Sequence, residues 1–585
     1  MSAEKLITDH IAIWTSAVQA KSASGRGSSK KRELYGIKKL RELILELAVR
    51  GKLVPQDPND EPASVLLERI AAEKAQLVKE NKIKKPKKLP EITEDDIPFK
   101  LPEGWTFSRL ENLCELITKG SSPKWQGVSY TENPEDVLFV TSENVGAFEL
   151  LLDKKKYVEK KFNEIEPRSI LRKDDFLMNI VGASIGRTAL YNIDYLANIN
   201  QAVCLIRSFP QQVITRFFLT FFNSLTCVSY MYDKQVENAR PNLSMGNISK
   251  FVIPVPPFNE QHRIVAKVDE LMALCDQLEQ QTEANLDAHQ VLVETLLATL
   301  TNSQDATELM ANWARISEHF DTLFTTEQSI DQLKQTILQL AVMGKLVAQD
   351  PNDEPAAKLL ERIAEEKAQL VKEKKIKKQK ALPPINDEEK PFELPNGWEW
   401  SRFGQVVVLK SGCTFGQDRE EETGTIYCKV GDMNLDGNFE EITTSSRYIQ
   451  PLSGEKSALI PAASIIFPKR GGAIATNKKR YVRRDIFVDP NIMATTPSSF
   501  LKLEYVMTWL DGFDLASLNS GTSVPQINNK DIDPLLFPVP PLAEQKRIVD
   551  QVDQLLALCD QIKQRLRDSQ QTQLQLTDAI VAQAL

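Results

Sequence analysis

The sequence predicts an α+β fold: two globular α+β domains separated by long antiparallel coiled-coil helices, in an internal duplication with pseudo-two-fold symmetry. Three observations predict it. Residues 44–89 return as 337–382 at an offset of 293, with 37 of 46 positions identical. Residues 254–277 return as 538–561 at an offset of 284, with 17 of 24 identical. The segments enclosed by these repeats, 101–253 and 394–537, hardly resemble each other. Internal repeats decide architecture before single elements do, and this period is too long for a solenoid. One frame is used twice around different contents.

Composition bounds the class. The chain of 585 residues has room for about four domains. Its 26% charged and 42% apolar residues belong to a globular or helical protein rather than a disordered one. No apolar run approaches the ~20 residues of a membrane helix, and Met1-Ser-Ala-Glu-Lys5 carries no signal-peptide pattern, so a cytoplasmic location and no membrane partner are expected. Seven cysteines without a CxxC pair argue against a disulfide framework or a zinc site. The histidines at 10, 262, 289 and 319 are isolated. Net charge is −8; 101–257 balances 17 basic against 17 acidic residues, and 394–541 has 15 against 17. Phosphate binding would therefore rest on local clusters.

The first region, 1–100, is a helical arm. Leu6, Ile7, Ile11 and Trp14 have helical spacing, and Ser22–Ser29 is a Gly/Ser loop. Ile37, Leu40, Ile44 and Leu47 step 3, 4, 3 along one helical face, and Gly51 is placed to end it. Asp60 or Glu61 before Pro62 starts a second helix, 63–81, which runs into the lysines of 82–88, read either as a solvated helix end with a favourable dipole or as an arm that touches phosphate. Leu101-Pro-Glu-Gly-Trp105 opens the first variable domain, 101–257, and Leu394-Pro-Asn-Gly-Trp398 opens the second, 394–541. Strands are expected at 137–141, 176–181 and 202–207, then at 426–430, 464–467 and 486–488, with helices at 214–224 and 503–510.

Each domain closes on Pro-Val-Pro-Pro and a long helix, 258–300 and 542–585. Ile264, Val268, Leu271, Cys275 and Leu278 step 4, 3, 4, 3, as do Ile548, Val552, Leu555, Cys559 and Ile562. That 3.5-residue spacing is a seam for a partner helix; left exposed, it predicts a chain poorly soluble alone. About 40 helical residues span ~60 Å. Residues 301–393 hold a linker and the second arm.

Catalytic signatures are near-misses. Gly182-Ala-Ser-Ile-Gly-Arg-Thr188 is one residue short of a phosphate loop and has Arg for Lys. Val255-Pro-Pro-Phe258 lacks the polar residue that would hold an amino group for methylation. What remains is recognition. Lys119, Ser121, Ser122 and Lys124 share one polar, basic loop; Lys410, Ser411 and Gln417 share its counterpart. Arg187 follows a Gly-rich turn. Lys469, Arg470, Lys478, Lys479 and Arg480, with Arg483 and Arg484, form the densest basic patch. Arg240 and Asn242 end the first domain where Thr522, Ser523 and Gln526 end the second, Asn242 and Gln526 matching at the 284 offset. Asn and Gln pair bidentately with adenine, Arg and Lys with guanine.

The duplicated frame, the Leu-Pro-x-Gly-Trp openings, Gly521-Thr-Ser-Val-Pro-Gln526 and Pro538-Val-Pro-Pro-Leu-Ala-Glu-Gln-Lys-Arg-Ile-Val549 resemble the specificity (S) subunit of type I restriction–modification enzymes. The resemblance covers nearly the whole chain. The first copy departs at Phe258, Asn259 and His262, and 239–243 lacks the Gly-Thr-Ser form. The resemblance implies a non-catalytic subunit whose two target recognition domains each read half of a bipartite site on double-stranded DNA. It implies helices that set the spacer and dock two methyltransferase (M) subunits, joined by restriction/translocase (R) subunits. It places S-adenosylmethionine, ATP and Mg2+ on those partners, with no cofactor on this chain. A DNA turn of ~34 Å is compatible with a ~60 Å helix. Two other readings remain: a single-chain restriction enzyme or methyltransferase, and a helical scaffold that reads no DNA.

Overall fold

The computed structural model describes residues 3–20, 32–86, 88–209, 214–233, 242–304, 306–518 and 524–585. The loop expected over Ser22–Ser29 lies outside the described residues. The chain forms two compact units, Met1–Asn285 with Ser569–Leu585, and Leu286–Asp568.

In the first unit the arm helix Tyr35–Val49 buries Ile37, Leu40, Ile44 and Leu47, the face its spacing predicts. It stops at Gly51, whose φ of +66° suits glycine. The next helix runs Ala63–Lys79, starting at the expected residue and ending before the expected Asn81, with Pro62 as its N-cap. Pro62 offers no side-chain cap, and the Ala63 N–H donates instead to the Gly104 carbonyl at 2.9 Å. An otherwise unpaired helix-end amide thus ties the arm to the domain opening.

The first variable domain holds two four-stranded sheets. One has the order Cys114–Lys119, Val203–Ser208, Asp175–Asn179, Thr188–Tyr191, antiparallel throughout. The other joins Ala197–Ile199 in parallel to Val137–Val140 and continues through Tyr157–Val158 to Tyr130–Thr131. A core of Leu138, Val140, Leu177, Ala189, Ile199, Val203 and Leu205 lies between them. Entry and exit strands, Thr106–Arg109 and Val252–Val255, pair antiparallel, which brings the Gly-Trp opening to the start of the long helix Phe258–Asn302.

The second unit repeats this plan. Val407–Ser411, Ile492–Pro497, Ser464–Pro468 and Arg480–Val482 form its four-stranded sheet. Thr425–Cys428 pairs in parallel with Phe487–Val488. Glu399–Arg402 pairs with Leu536–Val539 at the joint, where the long helix Leu542–Ala584 begins.

The frame repeats atom for atom. Gln56 Nε2 and Trp105 Nε1 donate to Glu260 at 3.1 and 2.9 Å; Gln349 and Trp398 do the same to Glu544 at 3.1 and 3.0 Å. Arg263 pairs with Asp60 and Arg547 with Asp353, both at 2.6 Å. Lys74 donates to the carbonyls of Glu111 and Cys114, Lys367 to those of Gly404 and Val407.

The helical seams are closed within each unit. Ile548, Val552 and Cys559 are buried in one cluster with Ile330, Leu333 and Ile337 of the second arm helix, Glu327–Val342, and Leu555 and Ile562 pack against it. Lys334–Asp560 and Lys563–Asp331 flank the contact. In the first unit Ile264, Val268, Leu271, Cys275 and Leu278 are likewise buried, and Arg41 of the arm binds Asp276 and Glu279 at 2.7 Å. This corrects the expectation of exposed seams: the chain's own arm helix supplies the covering face. Burial raises the Cys275 thiol to about 11, so it sits there as a neutral packing group.

Candidate nucleic-acid interface

The order of the four-stranded sheet decides which loops meet. In an antiparallel sheet, alternate strands point the same way, so Cys114–Lys119 and Asp175–Asn179 end at one edge, where Val203–Ser208 begins. The loop after each, 120–129 and 180–187, leaves from that edge. The segment after residue 241 closes onto it: Val181 and Asn242 form an antiparallel bridge, and the Leu243 N–H donates to the Ile180 carbonyl at 2.9 Å.

The second unit builds the same edge from other residues. Arg470 and Gln526 form the bridge. The Ile527 N–H donates to the Lys469 carbonyl at 2.9 Å, and Lys469 Nζ donates to Ser411 Oγ at 2.7 Å. Gly182 and Gly471 stand just past the bridges at φ +73° and +76°, with open space where a Cβ would point. The expected match of Asn242 with Gln526 is thus a match of topological place: each amide-bearing residue bridges the loop that follows the third strand in sheet order.

The first loop of each domain turns on a glycine pressed against the second sheet. A Cβ on Gly120 would stand 1.9 Å from the Ile199 carbonyl oxygen; one on Gly412 would stand 2.1 Å from those of Val488 and Asp489. Only glycine fits this approach.

In the first domain the edge gathers Lys119, Ser121, Ser122, Lys124, Arg187 and Asn242. Lys119, Lys124, Arg187 and Asn242 are exposed; Ser121 and Ser122 are half-buried, and Ser121 Oγ accepts from Gln126 at 3.0 Å. Arg240 lies outside the described residues, as do Thr522 and Ser523. In the second domain the edge gathers Ser411, Gln417, Lys469, Arg470 and Gln526, with Ser411, Gln417 and Arg470 exposed. Burial lowers the Lys469 ammonium below its usual range, and neighbouring Arg470 adds to this. Gln526 Nε2 donates to Asn528 Oδ1 at 2.8 Å.

Four cations are placed otherwise than expected. Lys410 lies one residue before Ser411, and alternation along the strand turns it to the other face. There its ammonium donates to the carbonyls of Ser457 and Leu459 at 2.5 and 2.7 Å, and burial lowers its pKa. Lys479 is 6% exposed; it donates to Asn477 and the Phe513 carbonyl and faces Asp511 at 3.7 Å. Arg480 is 9% exposed and spends its guanidinium on the carbonyls of Asn438, Lys479 and Met433. Lys478 is half-buried and holds Asn434. Lys479 and Arg480 are therefore internal braces of the second domain and not part of an exposed basic patch. Arg483 and Arg484 also have partners, Glu504 and the Thr443 carbonyl.

The family model described as the type I restriction modification DNA specificity domain matches residues 102–288 and 395–569, each match taking in one variable domain and part of a long helix. Along its whole length the chain is 43% identical to the EcoAI specificity subunit and 41% identical to the EcoEI specificity subunit, both of Escherichia coli, covering 100% of each. The chain belongs to the specificity subunits of type I restriction enzymes. A solved chain from a type I R-M system is 18% identical, covers 83% of this chain and 99% of its own length, and superposes at a TM-score of 0.49.

A specificity subunit is the non-catalytic, DNA-recognising component of its enzyme. The sequence shows Trp105, Glu260, Gln56 and Arg263 only as recurring positions, without the bonds that join them. All four recur at the repeat offsets as Trp398, Glu544, Gln349 and Arg547. The sequence reading passed over Trp125, at the tip of the first loop and 73% exposed. The aromatic of the counterpart loop, Phe415, packs inward on Tyr427 and Phe487 at ring distances of 5.2 and 4.9 Å.

Proposed function

We propose that each globular domain reads one half of a bipartite, asymmetric DNA target through the loops at its sheet edge. Exposed cations, Lys119, Lys124 and Arg187 in one domain and Arg470 in the other, hold phosphates; Asn242, Gln417 and Gln526 face base edges. The observation that carries this reading is the pair of equivalent bridges, Val181–Asn242 and Arg470–Gln526, on one repeated frame with different residues. The long helices set the spacer between half-sites. Two methyltransferase subunits dock on the helical frame, and the restriction subunits join that core. S-adenosylmethionine, ATP and Mg2+ are held by those partners, and the complex works in the bacterial cytoplasm on nucleoid DNA.

The test is co-expression with the methyltransferase subunit, followed by single-molecule sequencing of host DNA for methylated adenines. One bipartite motif that depends on this chain is the expected result. A stable complex without any motif would replace this reading with that of a helical scaffold.

A further inference from the structure

Trp125 is more exposed than any other large apolar side chain described, at 73%. Single exposed apolar residues are ordinary; the way this one is held is not. The backbone N–H of Trp125 donates to the Ser122 carbonyl at 3.0 Å, and the Val128 N–H donates to the Pro123 carbonyl at 3.0 Å. Gln126 Nε2 donates to Ser121 Oγ at 3.0 Å and to Glu166 Oε1 at 2.8 Å. Pro123 is buried, and Gly120 is seated on the Ile199 carbonyl. The backbone on both sides is therefore fastened to the domain, while the indole stands out beside Lys124 at the edge that carries Lys119.

The grooves of DNA expose one apolar group on base edges, the 5-methyl of thymine in the major groove. An indole offers a broad apolar face, and a fixed loop loses little freedom when that face is covered. We propose that Trp125 is a specificity-determining residue that packs on a thymine 5-methyl within the half-site read by the first domain. The inference rests on the reading of that domain as a DNA reader, and it adds that this half-site contains an A·T pair recognised through its methyl group. The second domain, with Phe415 folded inward, makes no such contact from this loop.

The experiment uses the full methyltransferase complex. The motif is first mapped with the unaltered chain; absence of a bipartite motif sinks the DNA-reading proposal and this one together. With a motif in hand, affinity is measured on duplexes in which each thymine of the target is replaced in turn by uracil, which lacks only the methyl. Wild type is expected to lose about fourfold on one uracil in one half-site, the worth of one buried methyl-sized group. Trp125→Ala is expected to bind the thymine and uracil duplexes alike, at the weaker value, and Trp125→Phe to keep part of the discrimination. The indole is in solvent, so both variants should melt with the wild type. Tolerance of every uracil by wild type would overturn the inference even with the motif intact. Equal loss by Trp125→Ala on unrelated DNA would also overturn it, marking a sugar–phosphate contact. A 2-aminopurine signal at an unstacked step, lost in Trp125→Ala, would overturn it in favour of a wedge between bases.

Discussion

The indole Nε1 of Trp105 donates to Oε2 of Glu260 at 2.9 Å, joining the opening of the first variable domain to the first turn of its long helix across 155 residues of sequence. Gln56 of the arm reaches the other oxygen of the same carboxylate at 3.1 Å. One buried acid therefore fastens arm, domain and helix together. Trp398, Glu544 and Gln349 form the same junction in the second unit.

Glu260→Gln replaces one of those acceptors with a donor, leaving either Trp105 or Gln56 without its partner. A buried donor left unsatisfied costs about 1–3 kcal/mol, so a drop in melting temperature of the first unit is expected, and Glu544→Gln should do the same in the second. Burial raises both carboxyls above the usual carboxylate range. A raised acid contributes stability that is fully present below its unfolded pKa and is lost as pH rises through its folded pKa. The advantage of wild type over Glu260→Gln in a denaturant titration should therefore shrink as pH rises from the ordinary glutamate range through the raised value.

Lys367 gives a second pH signature of opposite sense. Its ammonium is enclosed beside the carbonyls of Gly404 and Val407, and burial lowers it from 10.5 to about 8. A depressed base contributes stability present above its unfolded pKa and lost as pH falls through its folded pKa. Wild type should gain stability between pH 8 and 10.5, and Lys367→Met should flatten that rise in urea melts taken across the window.

Alanine at the exposed cations and at the internal ones should separate cleanly. Lys119→Ala, Lys124→Ala, Arg187→Ala and Arg470→Ala should each weaken DNA binding by the complex, and each lost phosphate contact should lower the salt slope by about one. Their melting temperatures should match wild type. Lys479→Ala and Arg480→Ala should lower the melting temperature of the second domain, because each strands buried carbonyls, and should leave the salt slope of the folded fraction unchanged.

Gly412→Ala should cost about 1–3 kcal/mol of stability as an overpacked contact, since its Cβ would stand 2.1 Å from two backbone oxygens that do not belong to a flexible side chain. The strain falls where the first loop meets the second sheet. Methylation mapping of this variant should show recognition degraded in the half-site of the second domain and retained in the other.

The frame was legible because it is written twice. Leu-Pro-x-Gly-Trp and Pro-Val-Pro-Pro-x-x-Glu-Gln recur because the Trp–Glu bond and the entry–exit strand pair require the same residues in the same register each time. The helical faces were legible for a similar reason: 3.5- and 3.6-residue spacing reports a buried stripe locally. What covers the stripe is not local. The seam of 548–562 fits a partner helix of any origin, and it is folding that lays Ile330, Leu333 and Ile337 of the same chain against it.

The sequence by itself determined the α+β class, the duplicated frame, the family and the amide pair Asn242 and Gln526. Only the tertiary structure decided which cations stand exposed at the sheet edges and which turn inward. Lys410 and Ser411 are neighbours, yet strand alternation sends one to the carbonyls of Ser457 and Leu459 and leaves the other exposed at the sheet edge. Lys479 and Arg480 read as a basic patch but turn inward, because Asp511 and the carbonyls of Met433, Asn438 and Phe513 converge on them from elsewhere in the chain. A side chain's direction follows from strand register and from the groups that distant segments bring beside it, and neither is present in a run of residues taken alone.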